Sequence, residues 1–206
     1  MKSNKVFGVA VALFAIGLIA TPVSWANSLT FQDVTFDINA VDADTVNLTI
    51  TNADNATGNW AGVDGFAAFE IKTIGSVSNL SLPGWNVYGA ALDANGCAGG
   101  NTSGGCFVFA SSTPLAISHV MSFNIDFSGT LDLTEPHLKV LFTTGGTIDF
   151  DCVQGKKTTD NCVTGKTGSL LSQTVPDPGK NVPEPASLLL LGAGLAGLGL
   201  WRRKQA

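Results

Sequence analysis

The sequence predicts an all-β protein, a single β-sandwich of immunoglobulin-like or jelly-roll-like form set between two export-related segments. Three observations predict it. Short runs of alternating apolar and polar residues recur through the middle of the chain. Gly, Asn, Asp and Pro interrupt those runs at hairpin intervals. No long stretch of the middle carries a helical period.

Taken in order, "FQDVTFDI" places Val34, Phe36 and Ile38 on one face. "TVNLTIT" sets Val46, Leu48 and Ile50 against Thr45, Asn47, Thr49 and Thr51. "FAAFEIKTIG" and "CFVFASS" supply two further strands. "ISHVMSFNIDFSG" turns Ile117, His119, Met121, Phe123, Ile125 and Phe127 inward. "HLKVLFTT" does the same with Leu138, Val140 and Phe142. About six to nine strands, each apolar on one face, are expected to pack as two facing sheets. The strand order is not legible, and there is no internal repeat.

Four segments are expected. Residues 1–26 are a signal peptide, 27–173 the β-domain, 174–181 ("TVPDPGKN") a Pro/Gly linker, and 182–206 a C-terminal segment with a transmembrane helix at 186–201. At the N-terminus, Lys2 and Lys5 precede an uncharged apolar run from Val6 to Ala20. Pro22 then breaks any helix, and Ser24-Trp25-Ala26 offers small residues for cleavage before Asn27. The alternative is an uncleaved membrane anchor, disfavoured by the short apolar run.

Charged residues make up only 13% of the 206 residues and Gly numbers 24, which suits an exported β-rich domain better than a cytosolic enzyme. Between Asn27 and Val182 there are 6 Lys, no Arg and 15 Asp/Glu. A domain with that balance is a poor partner for nucleic acid or for anionic lipid, since both need clustered cations. All four cysteines lie in this region, and an even count in an exported chain points to disulfides. The spacing favours Cys97–Cys106 and Cys152–Cys162, each closing a short polar loop. A zinc site is the rival reading, and the spacing lacks its usual CxxC or His signature.

The sequence holds no GxSxG, HExxH or phosphate-binding loop, so no catalytic residue is assigned and the domain is expected to be non-enzymatic. A pair of carboxylates from distant strands would escape this search, which leaves a small glycan-active hydrolase as the less favoured alternative. His119 and His137 are expected to be partly buried, hydrogen-bonded structural histidines. No cofactor is expected. Asp42 and Asp44 (and Asp149 with Asp151) are carboxylates two apart, which share a strand face. Calcium is the alternative there to plain solvation of a turn, and neither pair completes a calcium-loop pattern. Trp60, Trp85 and Tyr88 lie in Gly/Asn-rich stretches. They read either as rings capping the core or as a glycan-facing platform, which would make the domain a carbohydrate-binding module or adhesin. Four Asn-x-Ser/Thr triplets, starting at Asn47, Asn55, Asn79 and Asn101, are expected by chance in so Asn- and Thr-rich a chain.

From Ala186 to Trp201 the chain is apolar except for Ser187, roughly 24 Å of helix at ~1.5 Å per residue. Arg202, Arg203 and Lys204 follow and place the tail on the cytoplasmic side. Pro183 and Pro185 keep the strip before the span extended, with Glu184 at head-group level. A plain membrane anchor is one reading. The motif Val182-Pro183-Glu184-Pro185-Ala186, the Gly-rich run Leu188 to Leu200 and the basic end, in that order, resemble the PEP-CTERM sorting signal. The resemblance covers about twenty-five residues at the C-terminus. The signal peptide implies export by the Sec translocon and signal peptidase, and the resemblance implies that the membrane crossed is the inner membrane of a Gram-negative bacterium. It further implies transient anchoring, cutting by an exosortase-like membrane enzyme, and a final place at the cell surface or outside, in company with extracellular polysaccharide. It implies no activity for residues 27–173.

Overall fold

The computed structural model describes residues 27–94, 96–150, 162–165 and 171–176. The strands are β1 (Asn27–Phe31), β2 (Val34–Ala40), β3 (Thr45–Thr51), β4 (Gly65–Lys72), β5 (Gly75–Ser81), β6 (Trp85–Ala90), β7 (Asn101–Phe109), β8 (Leu115–Ala116), β9 (Val120–Leu131), β10 (His137–Thr143) and β11 (Leu171–Thr174). They form two antiparallel sheets. One has the order β1-β2-β3-β9-β5; the other has the order β11-β10-β4-β7-β6, with β8 also on β4.

Alternation builds the space between the sheets. Val34, Phe36, Ile38, Val46, Leu48, Ile50, Met121, Phe123, Ile125 and Phe127 are buried from the first sheet. Phe66, Phe69, Ile71, Phe107, Leu138, Val140 and Phe142 are buried from the second, and all belong to the same hydrophobic core. The aromatic rings cross from sheet to sheet: Phe123 lies 5.6 Å from Phe66 and 5.4 Å from Trp85. Each such side chain contributes roughly 1.5–3 kcal/mol by leaving water.

"FQDVTFDI" is not one strand. Gln32 and Asp33 both take positive φ, 50° and 64°, and turn β1 into β2 as a two-residue hairpin. Left-handed backbone at both turn positions matches the twist of the flanking strands, so the hairpin forms without glycine. β9 begins at Val120, later than the expected pattern, which leaves His119 before the strand. The domain also runs past its expected end. Thr174 is the last residue of β11, Val175 is fully buried, and its amide donates to the Pro136 carbonyl at 2.8 Å.

The outer face of the second sheet carries its own small core. β4 has an extra residue opposite the Leu141–Phe142 step, a β-bulge that turns Ala67 and Ala68 outward. Leu92, Cys97, Cys106, Val108, Ile148, Cys162 and Val163 pack there with them. The connection between β6 and β7 therefore lies down on the sheet.

Candidate functional site

The C-terminal sorting segment, Val182-Pro183-Glu184-Pro185-Ala186 through Arg202-Arg203-Lys204, lies outside the described residues, as do the signal peptide and the expected helix 186–201. No helix among the described residues is long and apolar enough to cross a membrane. The structure does describe the root from which the tail departs.

That root is the β9–β10 loop, Asp132 to Pro136. Asp132 accepts from the Thr134 amide at 2.9 Å and from its hydroxyl, bonds that hold its carboxyl below the ordinary range. The loop then takes hold of both ends of the domain. The buried Asn27 side chain donates to the Leu133 carbonyl, and Val175 donates to that of Pro136. Thr73 donates to the Glu135 carbonyl at 2.9 Å and ties in the β4–β5 turn. Beside this junction is a polar cavity of about 410 Å³, lined by Lys72, Thr73, Asp132, Thr134, Glu135, His137 and Thr174.

His137 is half-buried there. Its Nε2 lies 3.0 Å from Ser172 Oγ, and its Nδ1 lies 3.4 Å from Thr174 Oγ1. Burial lowers its pKa, and the charges of Lys72 and Lys139 lower it further. A serine at hydrogen-bond distance from an imidazole is half of a nucleophile–base pair. The other imidazole nitrogen meets a hydroxyl, where an activated pair needs a carboxylate to orient and stabilise the imidazolium. His119 departs from the expectation of partial burial. It is exposed at the turn before β9 and pairs with Asp54 at 3.0 Å.

Trp60 and Trp85 are not surface rings. Trp60 is fully buried, edge-on to Phe31 at 5.1 Å and to Phe142 at 4.9 Å. Trp85 packs among Phe66, Phe69 and Phe123. Tyr88 is half-buried against the outer cluster beside Cys106. The two tryptophans are therefore core rings and offer no glycan-facing platform, and Tyr88 keeps part of its ring at the surface. The rings follow the ordinary hydrophobic drive into the core, and Gly58–Trp60 forms a 3-10 turn that dips inward.

Asp42 and Asp44 sit on the exposed β2–β3 turn. The Asp44 amide donates to Asp42 Oδ1 at 3.1 Å, which with bonds from Thr45 lowers the Asp42 pKa. Asp44 is raised, by its hydrogen bond with Asp42 and then by the Asp42 charge. This is a self-capped turn. Among the described residues no three His, Cys, Asp or Glu side chains group as a metal site. Asp149 donates its amide to the Cys162 carbonyl, and Asp151 lies outside the described residues.

Cys97 and Cys106 form a disulfide with Cα atoms 5.8 Å apart. Cys162 is disulfide-bonded as well; the expected partner, Cys152, lies outside the described residues. The sequence reading missed Glu70. It is fully buried on the outer face of β4, 3.0 Å from Lys139 of β10. Burial pushes its pKa up, but the Thr102 hydroxyl, the Lys139 ammonium and the Leu92 amide together outweigh that and hold it below the ordinary range. A lone acid inside the apolar run "GFAAFEIK" was the available signal.

No curated protein and no solved structure matches this chain. Residues 181–204 match the family model of the PEP-CTERM protein-sorting motif. They cover the same proline-flanked glutamate, glycine-rich run and basic end that carry the resemblance. In its C-terminal region, then, the chain bears a PEP-CTERM sorting signal, the mark of an exosortase substrate directed to the cell surface.

Proposed function

We propose that this is an exported, C-terminally sorted protein of the cell surface or extracellular matrix, non-enzymatic and associated with exopolysaccharide. The sorting motif at 181–204 carries this reading. In it the Sec translocon takes the chain across the inner membrane of a Gram-negative cell, and signal peptidase frees Asn27. Residues 186–201 then hold the domain at the membrane until an exosortase-like enzyme cuts near Glu184. Two sheets facing each other across one core support the β-sandwich form of the exported domain. The hydroxyl partners of His137 support a structural role for it.

Fractionation of the producing bacterium, with blotting against the central domain, tests the reading. Glu184→Ala, or Pro183→Ala with Pro185→Ala, leaves the apolar span intact, so insertion persists while recognition is lost. These variants are expected to accumulate as membrane-held precursor while the wild type reaches the surface. Release of both variants at the wild-type level would reduce the tail to a simple anchor. Incubation with the producer's own polysaccharide separates the activities, since shortening of the polymer would make the protein an enzyme.

A further inference from the structure

The two sheets differ in what lies on their outer faces. Chain packs against the β4 sheet, fastened by a disulfide and an ion pair. No described segment packs over the outer face of the β1-β2-β3-β9-β5 sheet, and the face has an unusual composition. Register aligns Thr30, Thr35 and Thr51 in one rank across three strands. It aligns Asn39, Asn47 and Asn124 in another. The remaining outward positions are mostly Ser and Thr. The only charges in these strands are the carboxylates of Asp37 and Asp126, and the two lysines of the described residues, Lys72 and Lys139, both belong to the other sheet. Within these strands Val120 is the one large apolar side chain that stands out, 56% exposed; Val41, 54% exposed, follows β2 at the rim of the face.

These side chains already bond to one another. Asn47 donates to Asn124 Oδ1 at 2.6 Å and to Ser122 Oγ at 2.8 Å. Thr49 donates to Asn47 Oδ1 at 2.8 Å, and the Thr30 and Thr35 hydroxyls lie 3.0 Å apart. An ordinary solvated face is ~25–35% charged and built of long, mobile side chains. A face of short groups held by mutual hydrogen bonds has little rotamer freedom left to lose when something docks on it.

Charge and chemistry select the partner. Asp37 and Asp126 repel phosphate, sulfate and uronate. Two isolated valines, Val120 and Val41, give a lipid or an apolar protein surface little purchase. Hydroxyls and amides both donate and accept, as sugar hydroxyls do. Their ranks repeat about every 4.8 Å across the strands and about 6.8 Å along them, a regular lattice suited to an extended chain. We infer that the open face of this sheet is a docking surface for a neutral, hydroxyl-rich polysaccharide, held by hydrogen bonds rather than ring stacking. This rests on the reading that the protein works beside extracellular polysaccharide.

The test is retention of the full-length chain, in detergent micelles, on insoluble cellulose, insoluble β-1,3-glucan and cross-linked dextran, with immobilised alginate as the anionic comparison. Retention on at least one neutral polymer and none on alginate is expected. Thr49→Lys with Ser122→Lys places two long cations in the middle of the face and is expected to weaken retention about tenfold. Gln173→Lys on the other sheet is expected to change nothing, and circular dichroism melts confirm folding of each variant. Binding of the double variant at wild-type strength, failure on all three neutral polymers, or preference for alginate would overturn the inference. The sorting reading would survive each of those results, because precursor processing reports on it separately.

Discussion

Glu70 and Lys139 meet at 3.0 Å across β4 and β10, and between them they hold both backbone groups of Leu92. The Leu92 amide donates to Glu70, and Lys139 donates to the Leu92 carbonyl. The pair therefore pins the β6–β7 connection to the sheet, beside the disulfide that fastens the same connection. Lys139→Ala would leave the buried Glu70 carboxylate without its counter-charge, and is expected to lower stability by about 3–5 kcal/mol in urea unfolding.

The same pair gives a pH dependence. The folded Glu70 pKa lies below the ordinary 4.5, so the unfolded chain binds the proton first. Its stabilising contribution is present above that value and lost as pH falls through the folded pKa. Unfolding midpoints recorded from pH 6 downward are expected to show this loss, with a shallower slope in Glu70→Gln.

His137 acts in a neighbouring window. Its folded pKa is below 6.5, so the unfolded chain again takes up the proton first. Stability is expected to decline as pH falls below 6.5, and the decline to shrink in His137→Gln. Nuclear magnetic resonance titration of the imidazole is expected to place it below 6.5.

Disulfide loss is expected to cost about 2–3 kcal/mol at Cys97–Cys106, the range for so short a loop. Cys97→Ala with Cys106→Ala, measured by thermal melting, checks the magnitude. Non-reducing peptide mapping is expected to recover a second link between Cys152 and Cys162.

Trp60→Ala is expected to cost about 3–5 kcal/mol, since it empties a site closed by Phe31, Phe36 and Phe142. A surface platform residue would have cost little in stability and much in glycan retention, so the two measurements together are decisive.

Intact-mass measurement of the native exported protein is expected to give a start near Asn27 and loss of the segment from about Ala186. Recovery of a stable membrane species that still carries Trp201-Arg202-Arg203 would refute C-terminal cutting.

The inner faces were legible because a strand has a period of two and the core accepts only apolar side chains. Val46, Leu48 and Ile50, or Phe123 and Ile125, need nothing more. His119 was misplaced because the alternation continues past the point where pairing stops. The Gln32–Asp33 turn was hidden because neither residue is Gly or Asn. Trp60 and Trp85 admitted two readings, core rings or a surface platform, because their neighbours in sequence are polar. The hold of Leu133 on Asn27 joins residues 106 positions apart, and no local pattern reports it. The sorting tail was legible for the opposite reason: its information is linear, and no fold is needed to read it.

Both ends of the domain leave from the Asp132–Pro136 loop, and this has a mechanical consequence. β11 is a short edge strand that runs toward that loop and continues into the tail. A pull on Thr174 along the β11 axis would load the hydrogen bonds between β10 and β11 together, in shear, instead of unzipping them in sequence. A domain tethered this way bears load in shear at its root while the far end of both sheets stays undisturbed. The tail can be stretched, cut or handed on without opening the core.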